Sequence, residues 1–131
     1  MENWKKILTP LQFHVTRENG TERAFTGKYN DFSEKGFYEC VCCGETLFSS
    51  QSKFHSACGW PSFSDIRNEK TIKVVKDYSH GMVREEVRCN NCDAHLGHVF
   101  TDGPEPTGLR YCINSAAIKF SSLLRNSSPH F

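Results

Sequence analysis

The chain has 131 residues, a length that fits one domain with a genuine hydrophobic core. A formal net charge of +1 gives no electrostatic field for gripping a phosphate backbone, so we expect no nucleic-acid partner. No apolar run approaches the roughly 20 residues of a membrane span, and the first ten residues lack the apolar stretch of a secretory signal. Seven cysteines, an odd number, do not favour a secreted disulfide scaffold, so we expect a cytoplasmic protein without a membrane partner.

The predicted elements begin with a helical segment within residues 1–13. Apolar side chains recur on one face of a helix over residues 4–11, and Pro10 keeps this helix short or breaks it. Residues 17–23 read as a polar connection, and from Phe37 onward the chain reads as strands and turns.

The second half of the chain predicts a hairpin and one or two final strands. Alternating residues 71–77 form the first strand of the hairpin, residues 79–81 the turn and residues 82–88 the return strand. Residues 109–115 and 117–120 read as the last strands. We therefore predict a mainly β, antiparallel architecture.

The remaining segments limit where regular structure can occur. Two prolines and two glycines within residues 102–108 forbid regular structure there, and the serine-rich residues 121–131 predict a loose tail. The whole chain, residues 1–131, is predicted to be a single domain.

Four cysteines form two pairs of identical spacing, Cys40 with Cys43 and Cys89 with Cys92, separated by 45 residues. Two such knuckles supply four thiolates, which fill the tetrahedral coordination of a structural zinc ion and leave no position for water. Cys42 competes with its neighbours for this role, but only the pair of Cys40 and Cys43 repeats the spacing of the second knuckle. We therefore predict one structural zinc ion.

Outside the knuckles, three clusters stand out, and together with Cys112 in a predicted strand they indicate chemistry. Cys58 and Trp60 lie in a loop stiffened by glycine and proline, His95 and His98 follow the second knuckle, and residues 80–84 occupy the predicted hairpin turn. Each has a plainer explanation: Trp60 can belong to the core, and the histidines can satisfy backbone carbonyls or bind a second metal. A thiol nucleophile, however, needs imidazoles as proton carriers and an aromatic wall for its substrate, and all three are present.

Two other classes of protein compete with a thiol enzyme. A zinc-ribbon binding module would use the knuckles and leave Cys112 in the core, but the chain lacks a basic stripe. A zinc hydrolase or deaminase needs an open metal site and a glutamate beside its histidine ligand, and the segment from His95 to His98 has no such glutamate.

Several motifs in the same order resemble those of B-type methionine sulfoxide reductases. They are residues 58–63 (CGWPSF), 81–87, 95–100 (HLGHVF) and 110–115 (RYCINS), together with the paired knuckles. The resemblance runs from about Leu8 to Phe120. It implies two antiparallel sheets rolled into a barrel-like core. It also implies reduction of the R epimer of peptide-bound methionine sulfoxide, one of the two epimers that separate enzymes repair.

Under this resemblance, the two thiols outside the knuckles and the polar residues near them divide the chemistry among them. Cys112 is expected to attack the sulfoxide sulfur and to become a sulfenic acid, which Cys58 resolves as a disulfide. His98 is expected to protonate the sulfoxide oxygen, with His95 and Asn114 holding it by hydrogen bonds. Thioredoxin or a similar dithiol would then reduce the disulfide.

Four further residues are expected to bind the substrate. Trp60 would pack against the S-methyl group, and His80, Phe100 and Arg110 would complete the site; Arg110 can also favour the thiolate of Cys112. The expected partners are oxidised proteins or peptides and the dithiol reductant. We expect a monomer without an organic cofactor.

Overall fold

The computed structural model describes residues 4–122, apart from the side chain of His80. Two helices come first, α1 (Trp4–Ile7) and α2 (Pro10–Arg17). Pro10 does not end the predicted helix but begins the second one. Thr9 and Gln12 form a reciprocal capping box there. Proline suits the first helical position, because the backbone N–H at this position has no hydrogen-bond partner within the helix and its loss therefore costs nothing. The predicted helical segment is therefore short and broken, as expected from Pro10, but its second helix continues to Arg17, beyond the predicted end at residue 13.

Within residues 4–122, nine strands follow in two antiparallel sheets. The strands are β1 (Gly36–Cys40), β2 (Thr46–Ser49), β3 (Lys53–Phe54), β4 (Ser62–Phe63), β5 (Ile72–Asp77), β6 (Arg84–Cys89), β7 (His95–Phe100), β8 (Arg110–Ile113) and β9 (Ile118–Ser122). The smaller sheet has the order β2-β1-β9 and the larger sheet the order β3-β4-β8-β7-β6-β5. The predicted mainly β fold with two antiparallel sheets and short N-terminal helices is confirmed.

Short 3₁₀ turns connect several of these strands: Ser50–Ser52, Ser79–Gly81 and Ser115–Ala117. The second of them closes the predicted hairpin, in which Asp77 of β5 pairs with Arg84 of β6. The predicted last strands become β8 and β9, joined through the third turn. Of the predicted loose tail, Ser121 and Ser122 belong to β9, and residues 123–131 lie outside the described part.

Fully buried aromatic side chains join the two sheets. Tyr38 and Phe48 come from the smaller sheet and Phe63 from the larger one. The rings of Phe48 and Phe63 stack with centroids 4.4 Å apart, and Tyr38 meets Phe63 edge-on at 5.1 Å. This contact fixes β4, and with it the neighbouring strand β8 that carries Cys112. Among residues 4–122, no helix has the length and apolarity needed to cross a membrane.

Candidate active site and metal centre

The four knuckle cysteines converge on one point. Their sulfur atoms lie within 4.8 Å of one another, with Cys40 3.6 Å from Cys92 and Cys43 3.6 Å from Cys89. Sulfurs on a zinc ion with Zn–S bonds of about 2.3 Å stand about 3.8 Å apart, so the donor set fits a tetrahedral zinc site. Cys42 is not part of this group.

The two knuckles share the same backbone turn. The amide of Cys40 donates to the carbonyl of Glu45, and Gly44 donates back to the carbonyl of Cys40. Cys89 makes the corresponding pair of hydrogen bonds with Ala94 and Asp93. Gly44 and Asp93 occupy equivalent positions and both have left-handed φ angles, +82° and +66°. Equal spacing in sequence therefore reflects equal geometry.

Helix α2 contacts the four-cysteine cluster through Arg17. Its guanidinium donates to the Cys92 carbonyl at 2.8 Å and lies 3.6 Å from the Cys92 sulfur. The guanidinium also stacks on the ring of Trp4, 5.0 Å from its centroid. A cation beside a thiolate cluster offsets part of its negative charge, so the N-terminal helices belong to the surroundings of this centre.

Cys58 and Cys112 meet at a second thiol cluster. Their sulfur atoms are 3.4 Å apart and both thiols are free. On the larger sheet, Cys112 of β8 pairs with Ser62 of β4 on one side and with His98 of β7 on the other. The Cys58 sulfur also lies 3.3 Å from the Ser62 hydroxyl. The structure therefore brings together the two thiols predicted to react.

The two thiols of this cluster differ in acidity. Burial opposes ionisation of Cys58, but contacts with Ser62, the backbone of Trp60 and Ser56 outweigh it and lower the pKa of Cys58 to about 7. Burial and the neighbouring Cys58 raise the pKa of Cys112 to about 12, although Arg110 opposes this. Two thiols in contact titrate as a unit, so the pair loses its first proton around neutral pH and its second only in strong alkali.

A cavity of about 240 Å³ opens over the two thiols. Its walls combine thiols, aromatic rings, cations and neutral polar groups, contributed by Thr21, Cys58, Trp60, Arg84, Gly97, His98, Phe100, Arg110, Cys112 and Asn114. Seven of the predicted site residues are therefore in one place. His95 does not line the cavity, and the side chain of His80 is outside the described part of the structure; the roles assigned to them stay predictions.

Each of the two imidazoles is hydrogen-bonded to a carboxylate. His98 Nε2 lies 2.8 Å from Asp77, which also pairs with Arg84 at 3.2 Å. The hydrogen bond to His98 and those to Ser79 lower the pKa of Asp77. This bond orients the His98 ring and leaves Nδ1 for a ligand.

His95 is 97% buried, and its Nδ1 lies 2.7 Å from Glu86. Burial lowers the pKa of His95 against the opposing effect of Glu86. The rings of His95 and His98 are 5.6 Å apart and meet edge-on. In this position His95 supports the ring of His98 from behind the cavity wall.

Hydrogen bonds and ring contacts hold the other walls in place. Arg110 donates two hydrogen bonds to Asp102, at 2.9 and 3.2 Å, and stacks over Phe100 at 4.6 Å. Asn114 donates to the Leu96 carbonyl at 3.0 Å, and the indole N–H of Trp60 donates to the carbonyl of Glu22, also at 3.0 Å. The aromatic and polar walls are therefore fixed before a substrate arrives.

Sequence reasoning gave no role to Thr21, Glu22 or Asp77, which support the site. It placed Arg84 and Glu86 within the motif of residues 81–87 but assigned neither of them a role. Of the contacts that these residues make, only the one between Asp77 and Arg84 could have been predicted from the sequence. A turn at residues 79–81 places these two residues opposite each other in the hairpin. The contact of Asp77 with His98 spans 21 residues and depends on the order of strands in the sheet.

Comparison with known proteins agrees with this arrangement. The family model described as SelR domain matches residues 8–122. A peptide methionine sulfoxide reductase MsrB of Synechococcus sp. (strain RCC307) is 58% identical over 118 residues, covering 90% of this chain and 87% of that protein. The MsrB of Burkholderia cenocepacia (strain HI2424) is 59% identical over 123 residues, covering 93% and 86%. The MsrB of Pseudomonas savastanoi pv. phaseolicola (strain 1448A / Race 6) is 57% identical over 118 residues, 90% of each chain. The chain therefore belongs to the MsrB family of peptide methionine sulfoxide reductases, oxidoreductases that act on methionine sulfoxide.

Proposed function

We propose that the protein reduces the R epimer of peptide-bound methionine sulfoxide through Cys112 and Cys58 and is recycled by a dithiol such as thioredoxin. The observation that carries this proposal is the 3.4 Å contact between the two thiols at the floor of an aromatic-walled cavity. A zinc ion held by the four knuckle cysteines would stabilise the fold and take no part in the reaction.

In the first step, the Cys112 thiolate attacks the sulfoxide sulfur. Once the pair has lost its first proton, transfer of the remaining proton across the 3.4 Å contact from Cys112 to Cys58 produces the form in which Cys112 is ionised. Arg110 favours this form by its positive charge. Sulfur of the substrate gains two electrons and leaves as methionine, while the Cys112 sulfur loses two electrons and keeps the oxygen as sulfenic acid.

The sulfoxide oxygen needs a proton before its bond to sulfur can break. His98 lines the cavity and is held by the Asp77 carboxylate through Nε2, so in its doubly protonated form the ring supplies that proton from Nδ1. The Asn114 amide lies in the same wall and can hold the oxygen through the N–H of Nδ2 that does not bind Leu96. Trp60 and Phe100 supply the apolar surfaces for the S-methyl group.

In the second step, the Cys58 thiol attacks the sulfenic acid and releases water. The sulfur atoms already lie 3.4 Å apart, so a movement of little more than 1 Å closes a disulfide of about 2.05 Å. An external dithiol then exchanges with this disulfide and restores both thiols.

The cavity suits a methionine sulfoxide within a polypeptide better than the free amino acid. Both of its cations are already paired, Arg84 with Asp77 and Arg110 with Asp102. No acidic side chain is among its ten lining residues. A free amino acid would therefore find neither a cation for its carboxylate nor an anion for its ammonium group. The monomeric state and the cytoplasmic location stay predictions.

An assay with separated epimers tests the proposal. Peptides that contain methionine R-sulfoxide or S-sulfoxide are each incubated with the protein and dithiothreitol, and methionine is measured. Turnover of the R peptide alone is expected, with the free R-sulfoxide a poorer substrate. Comparable turnover of the two epimers would refute the proposed stereochemistry.

A further inference from the structure

We propose that Glu22 is a positioning residue that holds Asn114 in the cavity wall; this rests on the function proposed above. Glu22 is 97% buried, although it belongs to a polar segment between α2 and the first strand. Burying a carboxylate costs free energy unless hydrogen bonds satisfy it. The groups that donate to Glu22 therefore show which part of the structure it stabilises.

The carboxylate of Glu22 caps a turn that lies about 90 residues away in the sequence. Its two oxygens accept from the backbone N–H groups of Ser115 and Ala116, each at 2.9 Å. These are the first N–H groups of the turn Ser115–Ala117, which have no partner within the turn itself. The cap is therefore supplied by a distant side chain.

Because Glu22 caps this turn, the side chain of Asn114 does not have to cap it. Asparagine directly before a helical turn usually caps that turn with its own side-chain oxygen. Here Asn114 makes no such bond. Its Oδ1 accepts from the backbone N–H of Glu22 at 2.9 Å, and its Nδ2 donates to Leu96 at 3.0 Å. With the cap filled by Glu22, the Asn114 amide stays in the cavity wall.

The same segment also holds the part of the cavity wall that carries Trp60. The backbone carbonyl of Glu22 accepts from the indole of Trp60 at 3.0 Å, and Phe25 N–H donates to the Gly59 carbonyl at 2.7 Å. Thr21, the residue before Glu22, lines the cavity. One residue thus joins the wall that carries Trp60 to the turn that carries Asn114.

Gly27 shows how closely the carboxylate is enclosed. A Cβ at this position would stand 2.4 Å from Oε2 of Glu22 and 2.2 Å from the Ser115 hydroxyl oxygen. Gly27→Ala therefore displaces the cap without removing the carboxylate. This variant perturbs the same contact by a different route.

The primary test is Glu22→Gln, which keeps the side-chain length but turns an N–H donor towards one backbone N–H. The cap weakens, and Asn114 can rotate to replace it. We expect single-turnover release of methionine to slow by about 10- to 100-fold, the usual effect of moving a positioned group by about 1 Å. Glu18→Gln, at an exposed glutamate whose carboxylate pairs with His14, is the matched control and should leave the rate unchanged.

A double-mutant cycle with Asn114→Ala separates positioning from a general loss of stability. If Glu22 acts through Asn114, Glu22→Gln should cause little further loss of rate in the Asn114→Ala background. Equal losses in both backgrounds would overturn the proposal, as would wild-type kinetics in Glu22→Gln. Should Glu22→Gln fail to fold, Gly27→Ala takes its place in the same cycle.

A second readout does not depend on activity. The indole N–H signal of Trp60 should shift in Glu22→Gln in a ¹H–¹⁵N spectrum, while that of Trp4 stays unchanged. An unchanged Trp60 signal would contradict the coupling of the two walls. Failure of the wild-type protein to reduce the sulfoxide would refute the proposed function instead, so the two failures are distinguishable.

Discussion

The molecule contains two clusters of cysteine thiols whose sulfur atoms are almost equally close. Sulfurs stand 3.6 Å apart across the knuckles and 3.4 Å apart between Cys58 and Cys112. The knuckle cluster has four thiols, enough to complete a tetrahedron and exclude a substrate. The second cluster has two thiols under an open cavity, beside an imidazole and a guanidinium. We therefore propose that the number of thiols and the access to them, rather than their proximity, decide between metal binding and redox chemistry.

The two clusters also differ in what holds them. Two copies of one backbone turn, closed by local hydrogen bonds, form the knuckles. Contacts between distant segments build the reactive pair: β8 with β4 and β7, and the loop of Cys58 with both the Ser62 hydroxyl and Cys112. A turn closed by local hydrogen bonds is sufficient for a site whose four identical ligands would only hold a metal ion. A site assembled from several segments places different chemical groups around one substrate.

The largest effect should follow from removing the nucleophile. Cys112→Ser should reduce single-turnover methionine release by about 10³-fold or more, because a serine hydroxyl does not ionise near neutral pH. The measurement is rapid-quench detection of methionine from the R-sulfoxide peptide. Substantial release from this variant would mean that another thiol attacks.

Cys58→Ser provides the matched comparison for this prediction. It should still release one equivalent of methionine and leave a sulfenic acid on Cys112 that dimedone traps. Turnover with thioredoxin should collapse, and the smaller dithiothreitol should restore part of it. Normal cycling with thioredoxin would show that Cys58 does not resolve the intermediate.

The next effect concerns the metal cluster. Cys43→Ser should lose the bound metal and lower the free energy of unfolding by several kcal/mol, since zinc binding worth roughly 10–16 kcal/mol in small zinc-finger peptides is coupled to folding. Elemental analysis and thermal denaturation measure both changes. Cys42→Ser, one residue away and outside the four-sulfur group, is the control and should keep the metal. Loss of metal from Cys42→Ser alone would reverse the assignment.

A smaller effect should appear in the pH dependence of alkylation. With a pKa of about 7, Cys58 is protonated in acid and becomes a thiolate as the pH rises. Its alkylation by iodoacetamide should therefore accelerate with a midpoint near pH 7, whereas Cys112, with a pKa of about 12, should stay slow. Peptide mapping by mass spectrometry separates the two thiols.

The Ser62 hydroxyl contributes to this midpoint, because its contact is the largest of those that lower the pKa of Cys58. Ser62→Ala should raise the midpoint. Ser64→Ala, which removes a hydroxyl bonded to the Ser52 carbonyl, should not. Equal midpoints in all three proteins would show that Ser62 does not tune the thiol.

The sequence predicted features that local patterns encode. Equal spacing of Cys40–Cys43 and Cys89–Cys92 identified the knuckles, and alternation identified the β5–β6 hairpin. The second helix carried a usable signal as well, since Thr9 and Gln12 have the spacing of a capping box before an apolar stretch.

Features that depend on distant contacts could not be predicted. Glu22 lies in a polar segment, and its partners Ser115 and Ala116 are more than 90 residues away. Likewise, the pairing of His95 with Glu86 and of His98 with Asp77 follows from the order β7-β6-β5, which no single segment specifies. Burial of a charged side chain is a property of the assembled fold.

One measurement addresses the division of labour between the two thiol clusters directly. Reduced protein is mixed with an excess of R-sulfoxide peptide without any reductant, and both methionine and the state of every cysteine are determined. We expect one methionine per chain, one disulfide between Cys58 and Cys112, and knuckle cysteines that remain reduced. Methionine release accompanied by oxidation of the knuckle cysteines, with Cys58 and Cys112 still free, would contradict this account.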